Sequence, residues 1–138
     1  MADFGVSGLD ELMLSLQEVA QLPEDIQDEM LNAQADVVLR AQQSAAQAIK
    51  DTGQTARSLR KGKPKSKKGA RSISITFSGS RKRGKTSTRN AEIAFVNEFG
   101  KRGVPARNFI RSANERSAAA STQAAAIVYD QYLRSKGL

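Results

Sequence analysis

The chain contains no cysteine and no histidine in its 138 residues. Without cysteine there is no disulfide and no thiol nucleophile, and without either residue there is no zinc site of the usual kind. Without histidine there is no imidazole for acid–base work, and the serines have no such base to activate them. No cofactor is expected, and no enzymatic activity. A lack of cysteine is compatible with a reducing compartment. Tryptophan is also absent and aromatics make up only 5% of the chain. A core must therefore be thin and built from helix faces. Thin cores favour oligomers, because a neighbouring copy covers what one chain leaves exposed. No apolar run approaches the roughly 20 residues that span a bilayer, so no membrane partner is expected. Met1 to Gly8 has neither a basic nor an apolar signal region, and no signal peptide is expected there.

Acidic groups are missing from one part of the chain. Residues 52–91 hold thirteen Lys or Arg and no Asp or Glu. Residues 1–51 hold ten acidic groups and two basic ones, Arg40 and Lys50. Residues 92–138 hold seven basic and four acidic groups, and the formal net charge is +8. Such a polar molecule can steer onto nucleic acid, or onto an acidic surface of a neighbour, including another copy of itself. The length suits one domain in three parts: an acidic helical part at 1–51, a basic strand–loop–strand part at 52–104 and a C-terminal helix at 105–138.

Periodicity supplies the elements. Leu9, Leu12, Met13, Leu16 and Val19 recur at helical spacing, and Ser7 can cap a short helix over Gly8 to Ala20. Asp10 and Glu11 would sit in its first turn, where the helix dipole favours them. Pro23 breaks this pattern and suits the start of a second helix, with Glu24 and Asp25 beside it. Ile26, Met30, Ala33, Val37, Ala41, Ser44 and Ala48 then give a narrow stripe over Pro23 to Lys50, about 40 Å of helix. That stripe fits an ordinary core helix or an oligomer-facing one. Gly53 ends the run. Residues 57–71 carry too little apolar content to pack and read as a mobile loop. Ile73, Ile75 and Phe77 alternate with serines and Thr76, which predicts a half-buried strand. After a second basic stretch, Gly79 to Asn90, the segment Ala91 to Phe99 reads as a second strand, so the two form a long-tipped antiparallel hairpin. Pro105 to Ile110 leads into a last helix, capped by Asn108 or Ser112, with a stripe of Ala113, Ser117, Ala120, Ala124, Ile127 or Val128, and Tyr132. The fold class is α+β: long amphipathic helices packed on a small antiparallel sheet with basic loops.

One motif imitates chemistry. Gly79-Ser80-Arg81-Lys82-Arg83-Gly84-Lys85-Thr86 fits the phosphate-loop pattern. A working phosphate loop opens directly into a helix whose amides hold the phosphates. Here a strand pattern follows instead, and βαβ alternation is lacking. The basic residues Arg60, Lys61, Lys63, Lys65, Lys67, Lys68, Arg81, Lys82, Arg83 and Lys85 fit three uses. They can be a solvated loop, an arm touching nucleic-acid phosphates, or a docking element on an acidic protein neighbour. No aromatic is interleaved with them, so DNA contact would be non-specific and steeply salt-dependent. Glu92 and Glu98 would lie on one strand face, and nothing gathers around them to make a glycosidase-like pair. For both, an edge or interface salt bridge with Arg107 or Arg111 is the expected role.

At Val96-Asn97-Glu98-Phe99-Gly100, followed by Pro105 to Ala113, the chain resembles the small head–tail connector or tail-completion (minor tail) proteins of long-tailed bacteriophages. Those proteins share a long N-terminal helix, a Thr-Gly turn into a segment like Thr55-Ala56-Arg57-Ser58-Leu59, a strand pair, a Glu-Phe-Gly strand end, a Pro-to-Phe turn and a closing helix. Here Glu98, Phe99, Gly100, Pro105 and Phe109 carry the signature, and the specific part is 91–113. Two departures are plain. Family members commonly have an aromatic before the alanine where the second strand starts, whereas Phe95 follows Ala94. Their proline often adjoins the Phe, whereas Ala106, Arg107 and Asn108 intervene here. The resemblance implies a virion structural protein of the neck or upper tail. It would work as a homo-oligomeric ring beside other neck and tail proteins, assembled in the host bacterial cytoplasm. A physical reading of the same residues expects Phe99 to anchor the strand end in the core, Gly100 to permit a sharp turn, and Phe109 to pack beside Phe99.

Overall fold

The computed structural model describes residues 2–6, 11–16, 22–49, 53–67 and 69–137, with backbone alone for 2–6 and 11–16. Ile73, Ile75 and Phe77 are buried, and the chain there is a strand, β5 (Ala70–Phe77). It forms the middle of an antiparallel sheet. On one side lie β2 (Glu11–Leu16) and then β1 (Ala2–Val6). Along the other edge, β3 (Leu59–Lys61) pairs with the end of β5 and β4 (Lys65–Lys67) with its start. The register sets Leu14 against Ile73, Leu12 against Ile75 and Leu59 against Phe77. The Gly62 amide donates to the Ser74 carbonyl at 2.8 Å and bridges the break between β3 and β4.

One long helix covers this sheet and a second packs on the first. The first, α1 (Glu24–Gln47), has Pro23 at its N-cap, one place before the first helical position that the sequence suggests for it, and ends before Lys50, which lies outside the described residues. The last, α4 (Phe109–Ser135), packs against α1 through small buried side chains spaced four apart: Ala113, Ser117, Ser121 and Ala125. Small side chains let two helix axes approach closely. The Gln42 amide donates to Asn114 Oδ1 at 2.9 Å across this seam. The core joins Leu31, Ala35 and Val38 of α1 to Leu59, Ile73, Ile75 and Phe77 of the sheet and to Phe109, Ile110 and Ala113 of α4. Arg71, at the start of β5, binds Asp28 of α1 through three hydrogen bonds of 2.8–3.0 Å and lies 3.4 Å from Glu24. Lys61 of β3 meets Asp36 at 2.7 Å. The fold is α+β.

Several expectations are corrected. Residues 11–16 form a strand rather than part of a helix over 8–20; Ser7 and Asp10 lie outside the described residues. Leu12, Leu14 and Leu16 satisfy a two-residue period as well as a helical one, and the open edge of β5 decides between them. The basic run 57–71 contains β3 and β4. A ladder needs backbone donors and acceptors, not apolar side chains, and lysines are well suited to an outer edge. Residues 91–99 belong to a helix, α3 (Asn90–Phe99), so they do not pair with β5. Ala91, Ala94 and Glu98 are its buried positions, a helical spacing rather than an alternating one. The connection before it is a separate hairpin of β6 (Ser80–Arg83) and β7 (Thr86–Arg89). The stripe of α1 is also rotated. Met30 is buried as expected, but Ala33, Val37 and Ala41 are half-buried and Ser44 and Ala48 exposed, while Leu31, Gln34, Ala35, Val38, Gln42, Ala45 and Ala46 are buried. Because α1 contacts both the sheet and α4, its buried face is wider than a single stripe. On α4, Ala113 and Ser117 are buried as expected, whereas Ala120 and Ile127 are exposed and Ser121 and Ala125 take the inward places.

Candidate functional site

The signature residues build a corner between α3 and α4. Glu98 is buried at the last turn of α3, and its carboxylate reaches the start of α4. The Ile110 amide donates to Oε1 at 2.8 Å and the Arg111 amide to Oε2 at 3.1 Å. A helix start leaves such amides without intrahelical partners, and a carboxylate there also meets the positive end of the helix dipole. Glu98 is therefore the cap of α4. The expected salt bridge from Glu98 to Arg107 or Arg111 is replaced by these backbone bonds, and the Arg111 guanidinium faces Glu115 at 3.2 Å. Asn108 stands at the N-cap position in a left-handed conformation, φ 49°, but its side chain makes no cap bond. Glu92, on another face of α3, is exposed, so the two carboxylates are not paired.

Gly100 makes the corner possible. Its φ is +76°, and a Cβ there would lie 2.6 Å from the Val104 carbonyl oxygen and 2.7 Å from the Ala106 nitrogen. The loop beyond is stitched by Lys101 and Val104, which exchange backbone hydrogen bonds of 2.8 and 2.9 Å. The Arg107 and Asn108 amides then donate back to the Asn97 and Glu98 carbonyls. Pro105 is exposed in this loop. Phe99 does not anchor the core: it is 55% exposed and packs edge-on against Phe95, itself 50% exposed, at 5.2 Å between ring centres. Phe109 packs on Phe77 at 6.3 Å, not on Phe99. As a helix, α3 brings residues four apart onto one face, so Phe95 and Phe99 pair outward while Ala94 and Glu98 turn in.

The basic stretches divide into structural and outward-facing members. Arg81 is 7% exposed; its Nε donates to Asn90 Oδ1 at 2.8 Å and its terminal nitrogen to Thr55 Oγ1 at 2.6 Å. It ties β6 to α3 and to the short helix α2 (Gln54–Arg57), and it is not available to a partner. Asn90 also donates to the Ser78 carbonyl at 2.9 Å. Lys61 is held by Asp36. Arg60 folds one nitrogen back onto the Arg57 and Leu59 carbonyls. Lys63, Lys65, Lys82 and Lys85 are exposed. Lys68 and the side chains of Lys67 and Arg83 lie outside the described residues. The phosphate-loop look-alike is the β6–β7 hairpin, with Gly84 and Lys85 at its tip and strand β7 directly after them. Its amides are thus in a ladder and a tight turn, not at a helix start.

An open cleft of about 410 Å³ lies where the two basic stretches meet. It is lined by Gln54, Arg57 and Ser58 at α2, Arg60 of β3, Ser78, Gly79 and Ser80 between β5 and β6, and Asn90 of α3. Arg57 was not among the residues singled out from the sequence. Nothing in its local pattern distinguishes it from a helix-end arginine; only the fold brings it to one cleft with Gly79 and Ser80. Among the described residues no group of three or more Asp or Glu could hold a metal ion, and no helix is long and apolar enough to cross a membrane. No family model, no curated protein and no solved structure matches the chain.

Proposed function

We propose that this protein is a virion structural protein of a tailed bacteriophage, a non-enzymatic subunit of a homo-oligomeric ring that joins head to tail or completes the tail. One observation carries the reading. The residues that resemble the connector and tail-completion family form a rigid corner, and that corner presents two half-exposed aromatic rings to the outside. Aromatic pairs on a fixed backbone are characteristic anchors of protein interfaces. Rigidity matters because little conformational entropy is then lost on docking. Neighbouring neck and tail proteins would be the other partners, the virion its final location and the host bacterial cytoplasm its place of assembly.

The test uses the double substitution Phe95→Ser and Phe99→Ser. Both rings are about half exposed and outside the buried core, so the variant should fold. Sedimentation of the native protein should show a closed oligomer, and the variant should run as a monomer. Negative-stain images with tail tubes or connectors should place the native protein at the neck. A native protein that stays monomeric and never joins assembled particles overturns the proposal.

A second reading, non-specific nucleic-acid binding through the basic 57–89 segment, is favoured by the arginine-lined cleft. It predicts binding at low salt that fades steeply as salt rises.

A further inference from the structure

The cleft has a one-sided chemistry. Among the described residues, its lining holds two guanidinium side chains, hydroxyls and amides, with no carboxylate and no aromatic ring. Arg57 and Arg60 come from the end of α2 and from β3, and both are exposed. Ser80 also lines the cleft and pairs with Arg89 across the β6–β7 ladder. Directly opposed residues of an antiparallel pair share a face. Alternation places Lys82, two positions beyond Ser80, on that same face, and its partner is Ser87. Arg81 and Thr88 take the other face, where Arg81 is buried. The outward face therefore continues the cleft with Arg89 and Lys82 and ends at exposed Lys85 on the tip.

We infer that this cleft seats a phosphodiester of nucleic acid and that Arg89, Lys82 and Lys85 extend the contact along the hairpin. The inference rests on the nucleic-acid reading above and gives it a place. Guanidinium groups suit phosphate oxygens because their fork of donors matches two oxygens at once. The missing aromatic means that no base stacks in the cleft, so recognition is of the backbone and is indifferent to sequence. Arg57 and Arg89, the two ends of the basic 57–89 segment, join the candidate contacts through the cleft and the ladder. Arg81, within that segment, is excluded by burial.

Fluorescence anisotropy with a labelled DNA duplex tests the assignment. Five phosphate contacts predict that affinity falls about 500-fold between about 50 and 200 mM salt. Removing two of them in Arg57→Ala/Arg60→Ala should reduce that fall to about 40-fold. The control Lys63→Ala/Lys65→Ala removes the same charge from exposed positions that do not line the cleft, and should stay close to the native dependence. Circular dichroism verifies that both variants fold. Equal effects from the two variants would overturn the site while leaving non-specific DNA binding intact. No binding by the native protein at low salt would overturn both. If inorganic phosphate displaces the duplex far more strongly than chloride of the same ionic strength, the seat belongs to the free anion and the nucleic-acid assignment falls.

Discussion

Gly100 shows what one residue decides. Two backbone atoms approach its missing side chain within 2.7 Å, and its φ of +76° is one that other L-residues rarely adopt. Gly100→Ala should cost about 2–4 kcal/mol, with the clash and the positive φ adding together. A fall in the urea midpoint at unchanged slope would measure it. The need for glycine here was legible, because a turn after an apolar run asks for it. The roles of Phe99 and Glu98 were not. Both followed from reading 91–99 as a strand, where residues 98 and 99 face opposite ways and the aromatic is the natural inward choice. In a helix the same two residues trade places. The capping role has a further reason for being hidden. The carboxylate lies 12 residues before the first amide it serves, whereas recognisable cap patterns place the acceptor within three residues of the helix start. Arg81 was hidden differently: β6 holds only serine, arginine and lysine, so no apolar residue marks a strand or its inward face.

Among the elements, α1, β5 and α4 were legible because each is long or strictly periodic. The others were not, for two physical reasons. Strands β3 and β4 contain mostly lysine, arginine and serine, and owe their conformation to the unpaired edge of β5 rather than to their own side chains. Helix α3 is only 10 residues long, and such a length gives too few repeats to separate a helical from an alternating pattern. The joint between β5 and α1 has a specific test. The Arg71 side chain is 16% exposed and Asp28 31% exposed, so this pair is partly shielded from solvent. Arg71→Met keeps much of the apolar stem and removes the charge. It should destabilise the protein by about 1–2 kcal/mol, less than a fully buried pair would and more than a surface one. The loss should shrink as salt rises, because salt screens the pair in the native protein. Equal midpoints for the two proteins in denaturant at low salt would refute this.

At the scale of the whole molecule, the charge asymmetry is partly spent inside the chain. Arg71 and Lys61 from the basic middle are engaged by Asp28, Glu24 and Asp36 from the acidic front. The opposed blocks therefore serve first to join helix to sheet. What remains for partners is a smaller, outward set of cations and the aromatic corner.

The corner has a consequence in time as well as in space. Its capping bonds close loops of 12 and 13 residues, whereas Arg71 with Asp28 closes 43 and Gln42 with Asn114 closes 72. Shorter loops cost less entropy to close, so residues 90–135 can organise before the sheet finds α1. Glu98→Ala should lower stability by about 1–3 kcal/mol and do so chiefly by slowing refolding. Gln42→Ala should act chiefly by hastening unfolding. Stopped-flow folding and unfolding rates separate the two, and the reverse pattern would contradict this order. On this order, Phe95 and Phe99 stand on a finished corner while the rest of the chain is still folding, so in the proposed ring the contact face would be ready before its own chain is complete.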